Sequence, residues 1–194
     1  GYKVPVLLTA KEDWEPYALE VLAGILDGGD SARLTRALVR GQQIAVSAGA
    51  GYDLNDRQEG LLMLDGSPAK GYSMQDLETA LREQITLLRN TSVAQDELER
   101  VKAQVLADHV YQEDSVFYQA MRIGTLESVG LGWRTADDYL PRIQSVTAEQ
   151  VQAVAKKYLT DDRLTVAVLD PQPMDAAARA RAQKAAMQGG HDVR

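Results

Sequence analysis

Alternating apolar and polar positions predict four strands in this chain of 194 residues. The two clearest runs flank a polar turn at residues 53–58 and are predicted to pair as antiparallel neighbours. A short β-branched run near the start and another after the last helical segment complete the set. The predicted strands cover residues 4–10, 43–52, 59–69 and 163–170.

Apolar residues at helical spacing predict seven helices, two before the central strand pair and five after it. Glycines at 28–29 and at 41 are expected to end the first two helices. Side-chain caps are expected where a serine or threonine precedes a helical run, at Ser73, Ser92, Thr135 and Thr147. The order of elements predicts an α+β fold, with a mixed, mostly antiparallel sheet and helices packed mainly on one face.

Composition divides the chain into a folded part and a tail. Residues 1–171 hold almost all large apolar side chains and are predicted to form one domain. Residues 172–194 are rich in Ala, Arg and Gln and are expected to be a tail, helical in part or disordered. Hydrophobic residues make up 45% of the chain, so a sizeable core is expected.

Charge and cysteine content exclude several classes of function. The net charge is −7 and the basic residues are dispersed, which argues against a nucleic-acid surface. No apolar run approaches the roughly 18 residues of a membrane span. Without cysteine there is no disulfide, thiolate metal site or cysteine nucleophile.

The residues alone show no complete catalytic set. His109 lies in a predicted helix with Glu113 and Asp114 one turn further on, but the two-histidine pattern of helical zinc sites is absent, so no metal site is predicted. Most carboxylates fall near helix starts, where they favour the positive end of the helix dipole. The glycines of DGGDSARL match neither of the two phosphate-loop spacings, G-x-G-x-x-G and G-x-x-x-x-G-K-[ST]. The neighbouring aspartates would also repel an anion.

Three motifs in the same order resemble the pitrilysin/insulinase family of zinc peptidases, which includes the processing peptidases. ILDGGDSARLTRALVRGQQIAVSAGAGY is similar, without a gap, to the family's LGGG turn, Ser-Arg-Leu helix and LRE-x-x-GLAYSV strand entry. TSVAQDELERVKAQVLADH and SVTAEQVQAVAKKYLTDDRLTVAVL resemble two later family segments. The resemblance extends over about residues 4–170 and indicates the C-terminal, metal-free back domain. It implies a clamshell around an unfolded peptide, with zinc held by an H-x-x-E-H front domain outside this chain.

The resemblance also shows what the chain lacks. In active members the back-domain motif supplies an arginine and a tyrosine that hold the substrate and stabilise the oxyanion. These positions fall at Val39 and Val46, neither of which can donate a side-chain hydrogen bond. Arg40 is one residue away, about 100° around a helix, and is not a replacement. We predict that Val39, Arg40 and Val46 face the substrate, and that Arg33 is structural, pairing with a carboxylate or capping carbonyls.

Three hypotheses follow. In the first, the chain is the back half of a zinc-bearing peptidase, and its N-terminal catalytic domain or a partner subunit of the same family supplies what is missing. In the second, the parent has no peptidase activity and is a structural or peptide-holding subunit. In the third, the chain is a stand-alone module that adds a peptide strand along residues 43–51 or the opening strand, although no exposed aromatic cluster is evident. The compartment stays open between bacterial periplasm and cytoplasm.

Overall fold

Three antiparallel strands form the sheet in the computed structural model, which describes residues 1–170 and Arg181. They are β1 (Tyr2–Val4), β2 (Ala45–Gly51) and β3 (Gly60–Pro68). Their order is β1-β3-β2, so the longest strand is central and β2 lies at an edge. Tyr2 pairs with Leu62, and Ala50 pairs with Leu64. The predicted central hairpin is therefore confirmed.

Helices account for most of the remaining residues. They are α1 (Glu15–Asp27), a π-helix (Thr35–Gly41), α2 (Met74–Asn90), α3 (Gln95–Glu113), α4 (Val116–Val129), α5 (Thr135–Ser145), α6 (Ala148–Tyr158) and a 3-10 turn (Asp161–Arg163). Helix α1 is the centre of the core and packs against β2, α3, α5 and α6. Its largest fully buried apolar side chains are Leu19, Leu22, Ile25 and Leu26. Among the described residues, no helix has the length and apolar character needed to cross a membrane.

The helices cover one face of the sheet. Along β3, side chains alternate as a half-buried strand requires, because successive residues point to opposite faces. Leu62 is fully buried, whereas its neighbours Leu61 and Met63 are 49% and 46% exposed. Helices α1, α2 and α6 pack against β2, β3 and β1 respectively. The predicted α+β class, with helices on one face, is confirmed.

The two outer strand predictions were wrong in extent. The first strand ends at Val4, because Pro5 has no backbone N–H and the Val6 carbonyl closes a turn by accepting hydrogen bonds from the N–H groups of Thr9 and Ala10. At the other end, the predicted strand 163–170 is reduced to one bridge between Leu164 and Tyr2. Its only strand neighbour among the described residues is the three-residue β1, which is too short to pair with the rest.

Two of the four predicted caps form. Ser73 and Thr147 each accept a hydrogen bond from the third helical residue and complete a capping box. Ser92 lies two residues before the actual N-cap of α3, which is Ala94 and has no side-chain bond. Thr135 lies inside the first turn of α5, where its hydroxyl donates to the Leu131 carbonyl at 3.0 Å. The predicted tail, residues 172–194, lies outside the described residues apart from Arg181.

Candidate functional site

The motif segment, residues 27–52, begins with a turn built for structure rather than for anion binding. Gly29 has a left-handed φ of 92°, and a Cβ on Gly28 would approach the Gly24 carbonyl oxygen to 2.3 Å. The Asp27 carboxylate accepts a hydrogen bond from the Ala50 N–H at 3.1 Å. The double glycine and the aspartate before it therefore attach the end of α1 to the edge strand β2.

Three backbone irregularities follow within thirteen residues. The predicted short helix winds as a π-helix over Thr35–Gly41, a rare form that is frequent at functional sites. Gln43 then adopts a left-handed φ of 56°, which is uncommon for a residue with a side chain. A register shift between Ala45 and Ser47 leaves Val46 as the extra residue of a β-bulge. The backbone thus has the features of a site that positions side chains.

The side chains on this backbone have little capacity for chemistry. Val39 is partly buried and packs against the core. Arg40 is exposed and pairs with the exposed Asp30 at 3.2 Å, a solvent-screened contact. Val46 is 68% exposed. The structure therefore separates the three predicted residues between the core and the solvent, and their contact with a substrate stays a prediction.

One ion pair fixes the motif segment to the helical layer. The Arg33 guanidinium donates two hydrogen bonds to the Glu97 carboxylate of α3, from Nε at 2.9 Å and from Nη2 at 2.6 Å. Both side chains are largely buried, with exposed fractions of 14% and 12%. Such a planar two-point contact is geometrically specific as well as strong. The predicted structural pairing of Arg33 with a carboxylate is confirmed.

A cavity of about 450 Å³ lies away from the motif's valines, between α1, the β2–β3 turn, α3, α4 and α5. Glu20 of α1 lines it and receives a hydrogen bond on Oε1 from the Tyr139 hydroxyl. Its Oε2 atom is buried and has no hydrogen-bond partner among the described residues. Burial raises the pKa of Glu20 to about 7, Tyr139 opposes the rise through its hydrogen bond, and the nearby Asp53 adds to it.

Contacts within the protein orient several other side chains around the cavity or favour one of their protonation states. His109 stacks on Tyr139 with ring centroids 5.7 Å apart. Burial and the Arg122 guanidinium lower the pKa of His109, so its neutral form is favoured. The Tyr52 hydroxyl donates to the Pro5 carbonyl at 2.7 Å, and burial raises the pKa of both Tyr52 and Tyr139. His109, the one histidine among the described residues, is thus part of a polar and aromatic cavity.

The sequence patterns do not predict this cavity. Its one local signal is Glu20 itself, a carboxylate inside the apolar run YALEVLAGIL. Within residues 1–170 and Arg181, no group of three or more His, Cys, Asp or Glu residues is placed to hold a metal ion.

The outer ends of α3 and α4 contradict the expectation that no aromatic cluster is exposed. Tyr111, Phe117 and Tyr118 are 77%, 67% and 54% exposed. The rings of Phe117 and Tyr118 meet edge to face at 5.8 Å. Helical spacing does not distinguish a stripe that faces outward from one that faces inward, so this exposed surface could not be predicted from the sequence.

Comparison with known proteins decides the family. The family model described as the Peptidase M16 inactive domain matches residues 4–105, more than half of the chain. The chain belongs to this family. It is therefore an inactive M16 peptidase domain, as the resemblance in the motifs implied.

Individual relatives agree with this assignment. The inactive domain is 24% identical over 155 residues to the uncharacterized zinc protease YmxG of Bacillus subtilis, covering 80% of this chain and 37% of that protein. The chain thus spans about a third of the length of this curated relative. A protease structure from Helicobacter pylori superposes with a TM-score of 0.75 at 21% identity, covering 84% of this chain and 38% of that one. An inactive peptidase domain from Bordetella parapertussis gives a TM-score of 0.74 at 21% identity, covering 89% and 90%.

One backbone feature of the motif segment agrees with the resemblance described from the sequence. Along the ungapped motif, the family's glycine falls at Gln43, its arginine at Val39 and its tyrosine at Val46. Gln43 keeps the left-handed conformation that glycine adopts readily. The left-handed turn is therefore present here although the residue at this position is glutamine.

Proposed function

We propose that this inactive domain forms one wall of a clamshell peptide chamber and supports a catalytic H-x-x-E-H domain outside the chain, the two belonging to one zinc metallopeptidase. The observation that carries the proposal is the motif segment, which contains the π-helix, the left-handed Gln43 and the bulge at Val46 but has no hydrogen-bonding side chain at Val39 or Val46. Such conformations persist only where the surroundings impose them. Their retention favours a wall of fixed shape.

The division of labour follows from the side chains. A developing oxyanion needs hydrogen-bond donors aimed at it, and Val39 and Val46 have none in their side chains. The described residues offer no set of three metal ligands, so in this proposal the zinc is held by the catalytic domain. The donor pair is then supplied by the partner subunit.

The peptide in this proposal lies along the uncovered face and edge of the sheet. Leu61 and Met63 are about half exposed there, and Val46 more so, which suits an extended, unfolded chain. Edge-strand β2 is the candidate for backbone pairing, although the Ala50 N–H is already bonded to Asp27. We therefore expect side-chain contacts on the face to contribute more than added backbone pairing.

A second function remains open because of the same two valines. A parent without any donor pair would hold peptides or support an assembly and cleave nothing. The exposed aromatic residues of α3 and α4 favour this second function, because large exposed apolar patches mark surfaces that bind another protein stably.

The deciding experiment uses the native parent purified with whatever binds it. Zinc content is measured by atomic emission, and cleavage of an unfolded peptide is followed with and without a chelator. We expect one zinc per catalytic domain and chelator-sensitive cleavage, whereas the 194-residue chain alone should show neither. A stable assembly that contains no zinc and cleaves no peptide would refute the peptidase proposal and favour the second function.

A further inference from the structure

We propose that the cavity around Glu20 binds an organic cation, a primary ammonium or guanidinium group, with the Glu20 carboxylate as its ion-pair partner. The proposal concerns the helical layer and is independent of the peptidase proposal. It depends on an unused acceptor, a surplus of negative charge and aromatic walls, all in one cavity.

The unused acceptor is Glu20 Oε2. Four buried side-chain atoms lack a partner among the described residues, and three of them are guanidinium nitrogens. Glu20 Oε2 is the one acceptor in this set, and the Tyr139 hydroxyl already serves Oε1. Buried polar atoms in native proteins are rarely left unpaired, so a donor is expected in the space beside Oε2.

The charge around the cavity selects a cationic donor. Asp53 and Asp108 line the cavity together with Glu20. Arg122 also lines it, but its Nη2 atom contacts Glu113 at 2.6 Å and its Nη1 atom contacts the His109 ring at 3.1 Å. Three carboxyl groups therefore face one arginine whose two terminal nitrogens are already paired, although its buried Nε atom has no partner among the described residues. An anion entering the cavity would meet this surplus of negative charge and be repelled.

The walls fit the same class of ligand. Four tyrosines line the cavity, and cations bind favourably over such rings. They are Tyr17, Tyr52, Tyr118 and Tyr139. The volume of about 450 Å³ lies within the ~300–1,000 Å³ range of small-ligand sites and exceeds what one water molecule fills.

The cation could be a free amine or guanidine, or the side chain of a lysine or arginine in a polypeptide. Both sources offer the same chemistry to Glu20, so calorimetric titration of the 194-residue chain at pH 8 uses one probe for each. The free probe is n-butylguanidinium, with n-butylurea as its neutral counterpart. The polypeptide probe is acetyl-Ala-Arg-Ala-amide, with the citrulline peptide as its neutral counterpart.

We expect at least one of the cations to bind at least tenfold more tightly than its urea counterpart. Glu20→Gln should weaken that binding by about tenfold or more. The matched control Glu83→Gln removes an exposed carboxylate on α2 and should leave the affinity unchanged. Tighter binding of the peptide assigns a polypeptide source, and tighter or equal binding of n-butylguanidinium assigns a small molecule. If Glu20→Gln fails to fold, Asp53→Asn replaces it, with an expected loss of about threefold.

A pH series gives a second readout. The titratable and charged groups that line the cavity with Glu20 are Tyr17, Tyr52, Asp53, Asp108, His109, Tyr118, Arg122 and Tyr139. Because cation binding requires the ionised carboxylate and Glu20 has a pKa of about 7, affinity should rise about tenfold from pH 6 to pH 8 in the wild type. Glu20→Gln should lose this rise. Equal binding of cation and urea, unchanged affinity in Glu20→Gln, or no saturable binding of either cation up to about 10 mM would overturn the proposal.

Discussion

Replacing Glu20 by glutamine should stabilise the domain in a pH-dependent way. Glutamine has the shape of the protonated carboxyl and can accept the same hydrogen bond from Tyr139. In the unfolded chain Glu20 ionises near its ordinary value of 4.5, whereas in the folded domain its pKa is about 7. The folded state therefore keeps a proton that the unfolded state has released.

The sign and size follow from this difference. Below about pH 4.5 both states are protonated and Glu20 carries no penalty. As the pH rises from about 4.5 to 7, the unfolded chain is favoured progressively, and above pH 7 the loss is complete. At about 1.4 kcal/mol per unit of pKa, the full penalty is about 3 kcal/mol. Between pH 5 and pH 8 the change is about 2–3 kcal/mol.

Urea unfolding followed by circular dichroism at pH 5 and pH 8 measures this change. Relative to the wild type, Glu20→Gln should gain about 2–3 kcal/mol more stability at pH 8 than at pH 5. In thermal unfolding the same change corresponds to roughly 5–10 °C. Glu83→Gln, exposed on α2, should show no such dependence. A stability difference between Glu20→Gln and the wild type that is the same at both pH values would refute the reasoning.

Three further changes test the frame around the motif. Arg33→Ala should destabilise the domain by about 2–3 kcal/mol, because it leaves a largely buried carboxylate on α3 unpaired. Replacement of the exposed Arg36 by alanine should stay within about 0.5 kcal/mol of the wild-type stability. Equal melting temperatures for the two variants would contradict this prediction. Gln43→Gly should stabilise the domain by about 0.5–1 kcal/mol, because glycine adopts the left-handed φ at this position without strain. Gln42→Gly, at an ordinary φ of −75°, should destabilise the domain. A loss of stability in both variants, measured by urea unfolding, would count against strain at Gln43. Lys157→Met should cost about 2 kcal/mol in chemical unfolding, since Lys157 pairs with a carboxylate on α1 that is 1% exposed; an unchanged midpoint would contradict that pairing.

The sequence predicted elements whose signals are local. The capping boxes at Ser73 and Thr147 formed because each lies in a four-residue pattern that satisfies its own backbone. The hairpin of β2 and β3 formed because alternation and a polar turn act over neighbouring residues. The first strand was overextended because the apolar pattern continues through Pro5, where the backbone cannot.

Features that depend on distant residues were not predictable. A π-helix and an α-helix share nearly the same apolar pattern, so nothing in TRALVRG distinguishes them. The bulge at Val46 depends on register against β3. The Glu20 cavity depends on Tyr139 and His109, which lie about a hundred residues further along the chain. An isolated carboxylate in an apolar helix is a signal that a partner exists, but not of which one.

The contrast between the two regions bears on how an inactive domain is used. In the motif segment the backbone is strained at Gln43, and the side chains of Val39 and Val46 cannot form hydrogen bonds. Around Glu20 the backbone is regular helix and turn, and the unpaired groups are side chains. A segment of defined backbone shape, without side-chain donors at these two positions, suits a surface against which another subunit acts. A buried acceptor atom without a donor, such as Glu20 Oε2, needs a ligand that supplies the donor. That this is an inactive peptidase domain therefore does not imply that its helical layer is only a support.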